Sequence, residues 1–256
     1  MYKEIRDLIR QREQLENIVD ITFYIPALNE QDNIVQTLDK IVFVMSSSKV
    51  TFEMLVYNDC STDNTRGVVE DYIQSHPGYI IKLINNRERR GLGYNYKDGA
   101  FIGIGKYYMM ICGDNSETEE SMREILNLTG KADILIPYFG GLDTRGRFRK
   151  YLSKLFTFLV NLISGHNVKY YNGVVLHLRQ NVICASPTSS GFGYQAELIS
   201  KLLDMGKSYL HVNVSNNDRS SGITKAFMLQ NVMAVIHSLL QISLRRTKKV
   251  LFKKIY

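Results

Sequence analysis

The sequence predicts an α/β fold with a mixed sheet and helices on both of its faces, and three stretches of the first half indicate it. Each stretch is a short apolar, β-rich run, followed by a carboxylate or an amide and then by a segment with helical periodicity. They are Ile21–Glu30, Met54–Thr65 and Lys106–Glu120. Because ligands of open α/β sheets bind at the carboxyl ends of the strands, we expect the polar residues after these runs to line one crevice.

The first two stretches also carry helix-capping residues. Residues 1–20 precede them and are expected to form a charged N-terminal helix with no role in the chemistry. The first strand ends at Pro26, and Asn29 suits the N-cap of a helix that ends near Met45. After the second strand, Asp59 is a candidate for binding, whereas Asp63 is expected to cap the next helix. A well-capped turn between strand and helix would by itself explain the residues of the first stretch. The second stretch, in which Asp59 follows an apolar strand, favours a binding site.

A basic loop follows the third predicted strand, Ile80–Ile84, and reads NNRERRGLGYNYKDGA. It is not a dinucleotide-binding fingerprint, because Gly91 and Gly93 come too late after the strand and no acid stands at the ribose position. Arg90 and the neighbouring bases would offset the charge of a pyrophosphate, and the glycines would let the backbone approach it. A solvated basic loop is the alternative.

The next predicted strand, Lys106–Cys112, is followed directly by Asp114. A magnesium ion accepts a single protein carboxylate when substrate phosphates and water complete its shell, so one aspartate suffices in principle. The five histidines are scattered, which argues against a zinc site.

The second half of the chain is basic and contains two long apolar segments. Phe148–Ser164 has one polar stripe on a broad apolar helix, so a core helix and an interfacial helix are both open. Ala226–Leu244 carries no charge, but five polar side chains disfavour a membrane span. An amphipathic helix with a basic tail that docks on anionic lipid is predicted for residues 226–256. Further predicted elements are the strands Ala132–Pro137, Val174–Leu178 and Tyr209–Val214 and the helix Tyr194–Leu203.

The charge distribution narrows the range of partners. The net charge is +7, and residues 144–196 contain no Asp or Glu but seven Lys or Arg. A basic half suits an anionic membrane or a phosphorylated substrate, and no nucleic-acid-binding motif accompanies it. Three widely spaced cysteines and a charged N-terminus indicate a reducing, cytoplasmic location at the inner face of the membrane. Homo-oligomerisation stays open.

Several motifs together resemble the family 2 glycosyltransferases of GT-A fold. The matching segments are Pro26–Glu30, Asn58–Asp63, Asn86 with Arg90–Gly93, and the triplet Cys112–Asp114 at the family's Asp-x-Asp position. Gly191–Glu197 and Arg219–Lys225 resemble the polyprenyl-phosphate branch, which includes dolichol-phosphate mannose synthase. The resemblance defines a domain of residues 21–225.

The resemblance implies inverting transfer of a sugar from a UDP- or GDP-linked donor to a membrane-bound polyprenyl phosphate, with Mg²⁺ or Mn²⁺ held by Asp114. Asp114, Arg219 and Glu197 are the implied catalytic residues, and Glu120 falls where the family often has a further acid. The implied nucleotide-sugar-binding residues are Pro26, Ala27, Asn29, Glu30, Asp59, Arg90, Gly91, Gly113, Asp114 and Lys225. Cys112 replaces the first aspartate of the motif.

Three other functions compete with this interpretation. Transfer to a sugar hydroxyl in cell-surface polysaccharide synthesis would need a general base, for which Glu197 is the candidate. A nucleotide-sugar-binding protein that has lost catalysis is supported by the missing first aspartate. A sugar-phosphate nucleotidyltransferase would need a glycine-rich basic loop beside the first strand, and IPALNE is not such a loop.

Overall fold

The computed structural model describes residues 19–140, 143, 146–191, 193–215 and 229–251. The N-terminal helix predicted for residues 1–20 and the candidate residues Arg219 and Lys225 lie outside the described residues. The strands are β1 (Val19–Ala27), β2 (Phe52–Asn58), β3 (Ile80–Asn85), β4 (Gly105–Met110), β5 (Ile134–Tyr138), β6 (Leu176–Leu178) and β7 (Tyr209–Asn213). The helices are α1 (Ile34–Ser46), α2 (Thr65–Ser75), α3 (Leu92–Ile102), α4 (Glu119–Asn127), α5 (Arg147–Ser164), α6 (Arg179–Ala185), α7 (Tyr194–Asp204) and α8 (Leu229–Leu251).

The strands form one seven-stranded mixed sheet of order β3-β2-β1-β4-β6-β5-β7. Strand β6 is antiparallel to β4 and β5, whereas the other neighbouring pairs are parallel. The predicted mixed sheet is therefore confirmed. The strand order reverses between β1 and β4, and such a switch point opens a crevice at the carboxyl ends of the strands.

Helices cover both faces of the sheet because the side chains of buried strands are apolar on both faces. In β1, Phe23 and Ile25 pack in one core with α1, α2 and α4. The intervening Tyr24 faces the other core, which contains a group of buried tyrosines from the sheet, α3 and α7. The molecule therefore has three layers. The loops after the other six strands lie at one edge of the sheet, whereas β6 ends at the opposite edge.

Most predicted elements are present with altered ends. Strand β4 ends at Met110 rather than Cys112, although the N–H of Gly113 still donates to the carbonyl of Pro26 at 3.1 Å. The sequence analysis missed α6, a helix of seven residues. The expected cap of α1 is wrong, since the helix begins at Ile34 and Asn29 lies outside it with a φ of 58°.

Helix α5 is not a core helix, because only Val160 and Ser164 of its residues are buried. Five large apolar side chains of α5 are exposed, namely Phe148, Tyr151, Leu155, Phe158 and Leu162. Helix α8 packs against α5 and α7. It too exposes a row of apolar side chains, namely Met233, Ile236, Leu240, Leu244 and Leu251. None of the helices in the described part of the chain is long and apolar enough to cross a membrane.

Candidate active site

The turns after β1, β2 and β4 converge on one crevice, as the sequence predicted. Each turn holds one residue in the left-handed region, namely Asn29 (φ 58°), Cys60 (φ 64°) and Asn115 (φ 58°). Non-glycine residues rarely adopt this conformation, and such strain concentrates at functional sites. The three strained turns therefore mark the crevice as the candidate active site.

The first two turns are tied to each other by side-chain hydrogen bonds. The amide N–H of Asn29 donates to Ser61 Oγ at 2.9 Å, and Asn29 Oδ1 accepts from the N–H of Thr62 at 2.8 Å. Asp63 accepts from the N–H of Thr65 at the start of α2, but the N-cap residue of this helix is Asn64 rather than the predicted Asp63. Asn29 therefore holds the turns after β1 and β2 together, whereas the sequence predicted it as a helix cap.

Asp59 anchors the basic loop to the crevice. Its Oδ1 accepts from Asn86 Nδ2 at 2.8 Å and from the N–H of Arg90 at 3.0 Å, and its Oδ2 accepts from the N–H of Gly91 at 3.1 Å. Burial acts to raise the pKa of Asp59, but these hydrogen bonds outweigh it and hold the pKa below its usual value. A side-chain hydrogen bond from Asn95 also lowers this pKa, so four protein donors hold the Asp59 carboxylate in its charged form.

The two glycines of the basic loop are required by protein packing. A Cβ atom on Gly91, whose φ is +86°, would lie 2.8 Å from the carbonyl oxygen of Ser190. The N–H of Gly93 donates to that same oxygen at 2.8 Å, and a Cβ there would overlap the carbonyl oxygen of Ser189. The start of α3 is thus fixed against the Ser189–Ser190 backbone. The guanidinium of Arg90 stacks 3.7 Å above the ring of Tyr94.

A potential metal-binding cluster lies after β4. Ligand atoms of Cys112, Asp114 and Glu117 all lie within 4.8 Å of one another, and Asp114 is 5% exposed. The carboxylate oxygens of Asp114 and Glu117 suit a hard divalent cation, whereas the sulfur of Cys112 is a softer ligand. The residue between Cys112 and Asp114 must be a glycine, because a Cβ atom on Gly113 would lie 2.9 Å from the carbonyl oxygen of Pro26.

Glu117, rather than Glu120, is the acid beside Asp114. Glu120 is exposed in the first turn of α4. Burial and the Asp114 carboxylate raise the pKa of Glu117 to about 7. Lys40 Nζ donates to the carbonyl oxygens of Glu117 (2.7 Å) and Asn115 (3.3 Å), which places a cation next to the cluster. Neither Lys40 nor Glu117 was predicted from the sequence. Glu117 lies three residues after Asp114, and this spacing was its only sequence signal.

Glu197, an implied catalytic residue, is buried on α7 at 3% exposure. Its carboxylate accepts four hydrogen bonds, from the N–H and Oγ1 of Thr188 and from the N–H and Oγ of Ser189, at 2.6–3.0 Å. Burial opposes ionisation, but these donors hold the pKa of Glu197 below its usual value. Ser238 of α8 donates to Ser189 Oγ at 2.8 Å. We call Thr188, Ser189 and Glu197 the Glu197 clamp.

A second cleft opens at the same edge of the sheet, beyond the end of β5. It has a volume of about 320 Å³. Three lysines and several aromatic rings characterise its lining, which comprises Tyr138, Phe139, Asp143, Lys150, Ser153, Lys154, Thr157, Phe158, Asn161, Lys169 and Tyr170. Lys169 Nζ lies 4.0 Å from the centroid of the Tyr138 ring. We call it the lysine cleft. The sequence showed its basic character but did not show that these residues meet.

Sequence comparison identifies relatives over much of the chain. A family profile described as Glycosyl transferase family 2 matches residues 22–182. A dolichyl-phosphate beta-glucosyltransferase (ALG5C) of Trichomonas vaginalis is 30% identical over 164 residues, 58% of this chain and 48% of that protein. A dolichyl-phosphate beta-glucosyltransferase of Dictyostelium discoideum is 25% identical over 131 residues, 49% of this chain and 40% of that protein. The chain thus spans about half the length of these curated relatives or less.

Structural comparison confirms the GT-A fold. Glucosyl-3-phosphoglycerate synthase from Mycobacterium tuberculosis, crystallised with UDP, matches with a TM-score of 0.66 and 18% identity over 88% of this chain and 80% of that one. A crystal structure of the same enzyme with Mn²⁺, UDP and phosphoglyceric acid matches equally well, with a TM-score of 0.66 and 19% identity over 88% of this chain and 79% of that one. At this identity the likeness establishes the shared fold alone.

Proposed function

The chain belongs to glycosyl transferase family 2, and we propose that it transfers a sugar from a nucleoside diphosphate sugar to a polyprenyl phosphate, with inversion at the anomeric carbon. The observation that carries the proposal is the lysine cleft, which opens at the same sheet edge as the Asp59–Asp114 crevice. A donor site and an anion-binding acceptor site would thereby open at the same edge of the sheet. The dolichyl phosphate acceptors named for the two relatives support the same chemistry.

The nucleotide is assigned to the crevice after β1, β2 and β4. By resemblance Asp59 binds the base or the ribose, and Arg90 lies beside it on the anchored loop. Pro26, Ala27, Asn29 and Glu30 form the opposite wall by resemblance. The roles of Arg219 and Lys225 in neutralising the leaving nucleotide rest on the resemblance alone.

The metal is assigned to Asp114 and its cluster. A divalent ion bound there, Mg²⁺ or Mn²⁺, would offset the charge that develops on the diphosphate, which is usually the largest catalytic contribution. The Mn²⁺ in the crystallised synthase supports a divalent ion without deciding between the two metals. In this proposal Asp114 and Glu117 hold the ion that offsets the charge of the leaving group, and Lys40 adds a positive charge beside them.

The acceptor phosphate is assigned to the lysine cleft. Lys150, Lys154 and Lys169 would balance a phosphate that is largely dianionic at neutral pH and therefore needs orientation rather than deprotonation. Phe158 lines this cleft and is also one of the exposed apolar residues of α5. The phosphate would thus sit where an apolar helix face can meet the lipid tail.

The apolar faces of α5 and α8 are proposed to dock on the membrane surface. The two helices pack on each other and expose ten large apolar side chains, and residues 144–196 have no acid to repel anionic lipid. Peripheral attachment at the inner, cytoplasmic face follows from the charge and cysteine content of the sequence. This attachment would deliver the enzyme to its lipid acceptor.

Acceptor kinetics test the proposed function. We expect Lys154→Glu to raise the KM for a short-chain polyprenyl phosphate at least tenfold while the KM for the donor sugar nucleotide stays within twofold. Lys131→Glu is the matched control, because Lys131 is an exposed lysine ahead of β5 at the opposite sheet edge. Transfer to an alkyl glycoside but not to the lipid phosphate would instead establish the hydroxyl acceptor. Donor binding without transfer to any acceptor would establish a binding protein.

Vesicle sedimentation tests the docking face. An apolar side chain that is exposed in the protein and buried in the membrane contributes about 1.5–3 kcal/mol to binding. Phe158→Ser with Leu240→Ser should therefore weaken binding to phosphatidylglycerol vesicles at least tenfold. Phe43→Ser is the control, since Phe43 is equally exposed but lies on α1 in the opposite layer. Equal losses in both variants would refute a specific docking face.

A further inference from the structure

We propose that the sulfur of Cys112 is a metal ligand and that it makes this site select a thiophilic divalent ion, such as Zn²⁺, Cd²⁺ or Co²⁺, over Mg²⁺. The inference deepens the proposed function and rests on it only for the place of the metal beside the diphosphate. It starts from the geometry of the cluster, in which Cys112 Sγ and carboxylate oxygens of Asp114 and Glu117 lie within 4.8 Å of one another.

The three ligand atoms are close enough to share one ion. Metal bonds of about 2.0 Å to oxygen and about 2.3 Å to sulfur place two ligands of a tetrahedral ion roughly 3.5 Å apart. Closing the cluster therefore needs movements of up to about 1.3 Å, which rotation of the three side chains supplies. The backbone between Cys112 and Asp114 is held in place, because the N–H of Gly113 donates to the carbonyl oxygen of Pro26 at 3.1 Å and Gly113 lies close to Pro26 and Ile34. The closing movements are therefore confined to the side chains.

The donor set is unusual for a magnesium site. Mg²⁺ binds oxygen ligands in a near-ideal octahedron and discriminates against sulfur, whereas thiolates favour softer ions. One thiolate and two carboxylates leave an open position on a four-coordinate ion, as in catalytic zinc sites. The Cys112 thiol releases its proton to solvent when its sulfur bonds to the ion, and Lys40 offsets part of the negative charge of the metal-free site.

Cadmium titration of the full-length protein tests the assignment. The parent variant is Cys60→Ser with Cys184→Ser, in which Cys112 is the single remaining cysteine of three. We expect Cd²⁺ to produce a thiolate-to-cadmium charge-transfer band in the ultraviolet with one equivalent of ion. Adding Cys112→Ser, a near-isosteric change, should abolish the band and weaken Cd²⁺ binding at least tenfold by calorimetry. An unchanged circular dichroism spectrum would show that this variant is folded.

The reverse substitution sharpens the test. Cys112→Asp in the same background should strengthen Mg²⁺ binding at least tenfold and remove the cadmium band. Absence of the band in the parent, or equal Cd²⁺ affinity with and without Cys112, would overturn the assignment. Sugar transfer is assayed separately, so active transfer without a band refutes only the Cys112 ligand. A band in a protein that transfers no sugar refutes only the proposed function.

Discussion

The Glu197 clamp and the Cys112–Asp114–Glu117 cluster each contain a shielded glutamate at the same edge of the molecule, yet their environments are opposite. Glu197 accepts four hydrogen bonds from Thr188 and Ser189, and its pKa is depressed. Glu117 faces the carboxylate of Asp114, and its pKa is raised to about 7. A carboxylate saturated by protein donors holds structure together, whereas two adjacent carboxylates are poised to receive a cation.

The largest expected effect concerns activity at the cluster. Asp114→Asn should lower kcat for sugar transfer by about a thousandfold, since it removes the charge that holds the metal. The asparagine Oδ1 can still accept the hydrogen bond that the N–H of Ser116 donates to Asp114, so the fold should survive. Initial rates and a thermal melt measure the two quantities. Full activity in this variant with a chelator present would rule out the proposed metal site.

The second prediction is that one substitution, Glu→Gln, changes stability in opposite directions at the two sites. Glu197→Gln turns an NH₂ group towards a backbone N–H of the clamp, and the lost acceptor should cost about 1–3 kcal/mol of unfolding free energy. Burial and the Asp114 carboxylate both destabilise the ionised form of Glu117, so Glu117→Gln should stabilise the metal-free protein at pH 8 by roughly 1–3 kcal/mol. Denaturant titrations compare both with wild type.

The sugar-transfer activity should also differ between Glu197→Gln and Glu117→Gln. Folded Glu197→Gln should keep appreciable transfer to polyprenyl phosphate, because this acceptor needs no general base, whereas Glu117→Gln should lose metal affinity. A collapse of kcat in Glu197→Gln with normal donor binding would instead point to a hydroxyl acceptor and to Glu197 as its base.

The smallest expected effect is a pH dependence from Glu117. Its folded-state pKa of about 7 exceeds the ordinary value of 4.5, so between these pH values the folded state binds more protons than the unfolded state. The unfolding free energy of the metal-free protein should therefore fall as pH rises from about 4.5 to 7. The difference between wild type and Glu117→Gln isolates this slope. A difference that is independent of pH would show that Glu117 titrates normally.

The sequence by itself determined the sheet, the order of its strands along the chain and the polar turns that follow them. These features depend on local patterns, namely apolar runs of strand length and the carboxylates or amides after them, which are legible in consecutive residues. Asp59 and Asp114 were found because each lies within a few residues of the end of a strand, and neighbouring parallel strands bring such residues to one edge.

Only the tertiary structure decided what surrounds each polar group. The sequence predicted Asn29 as a helix cap, but its hydrogen-bond partners Ser61 and Thr62 lie in the turn after β2. Gly91 and Gly93 suited a phosphate, but they are required by contact with Ser189 and Ser190, about a hundred residues away. The burial of a carboxylate and the number of its hydrogen-bond donors depend on residues that are distant in the sequence. The opposite pKa shifts of Glu117 and Glu197 therefore arise only when the chain is folded.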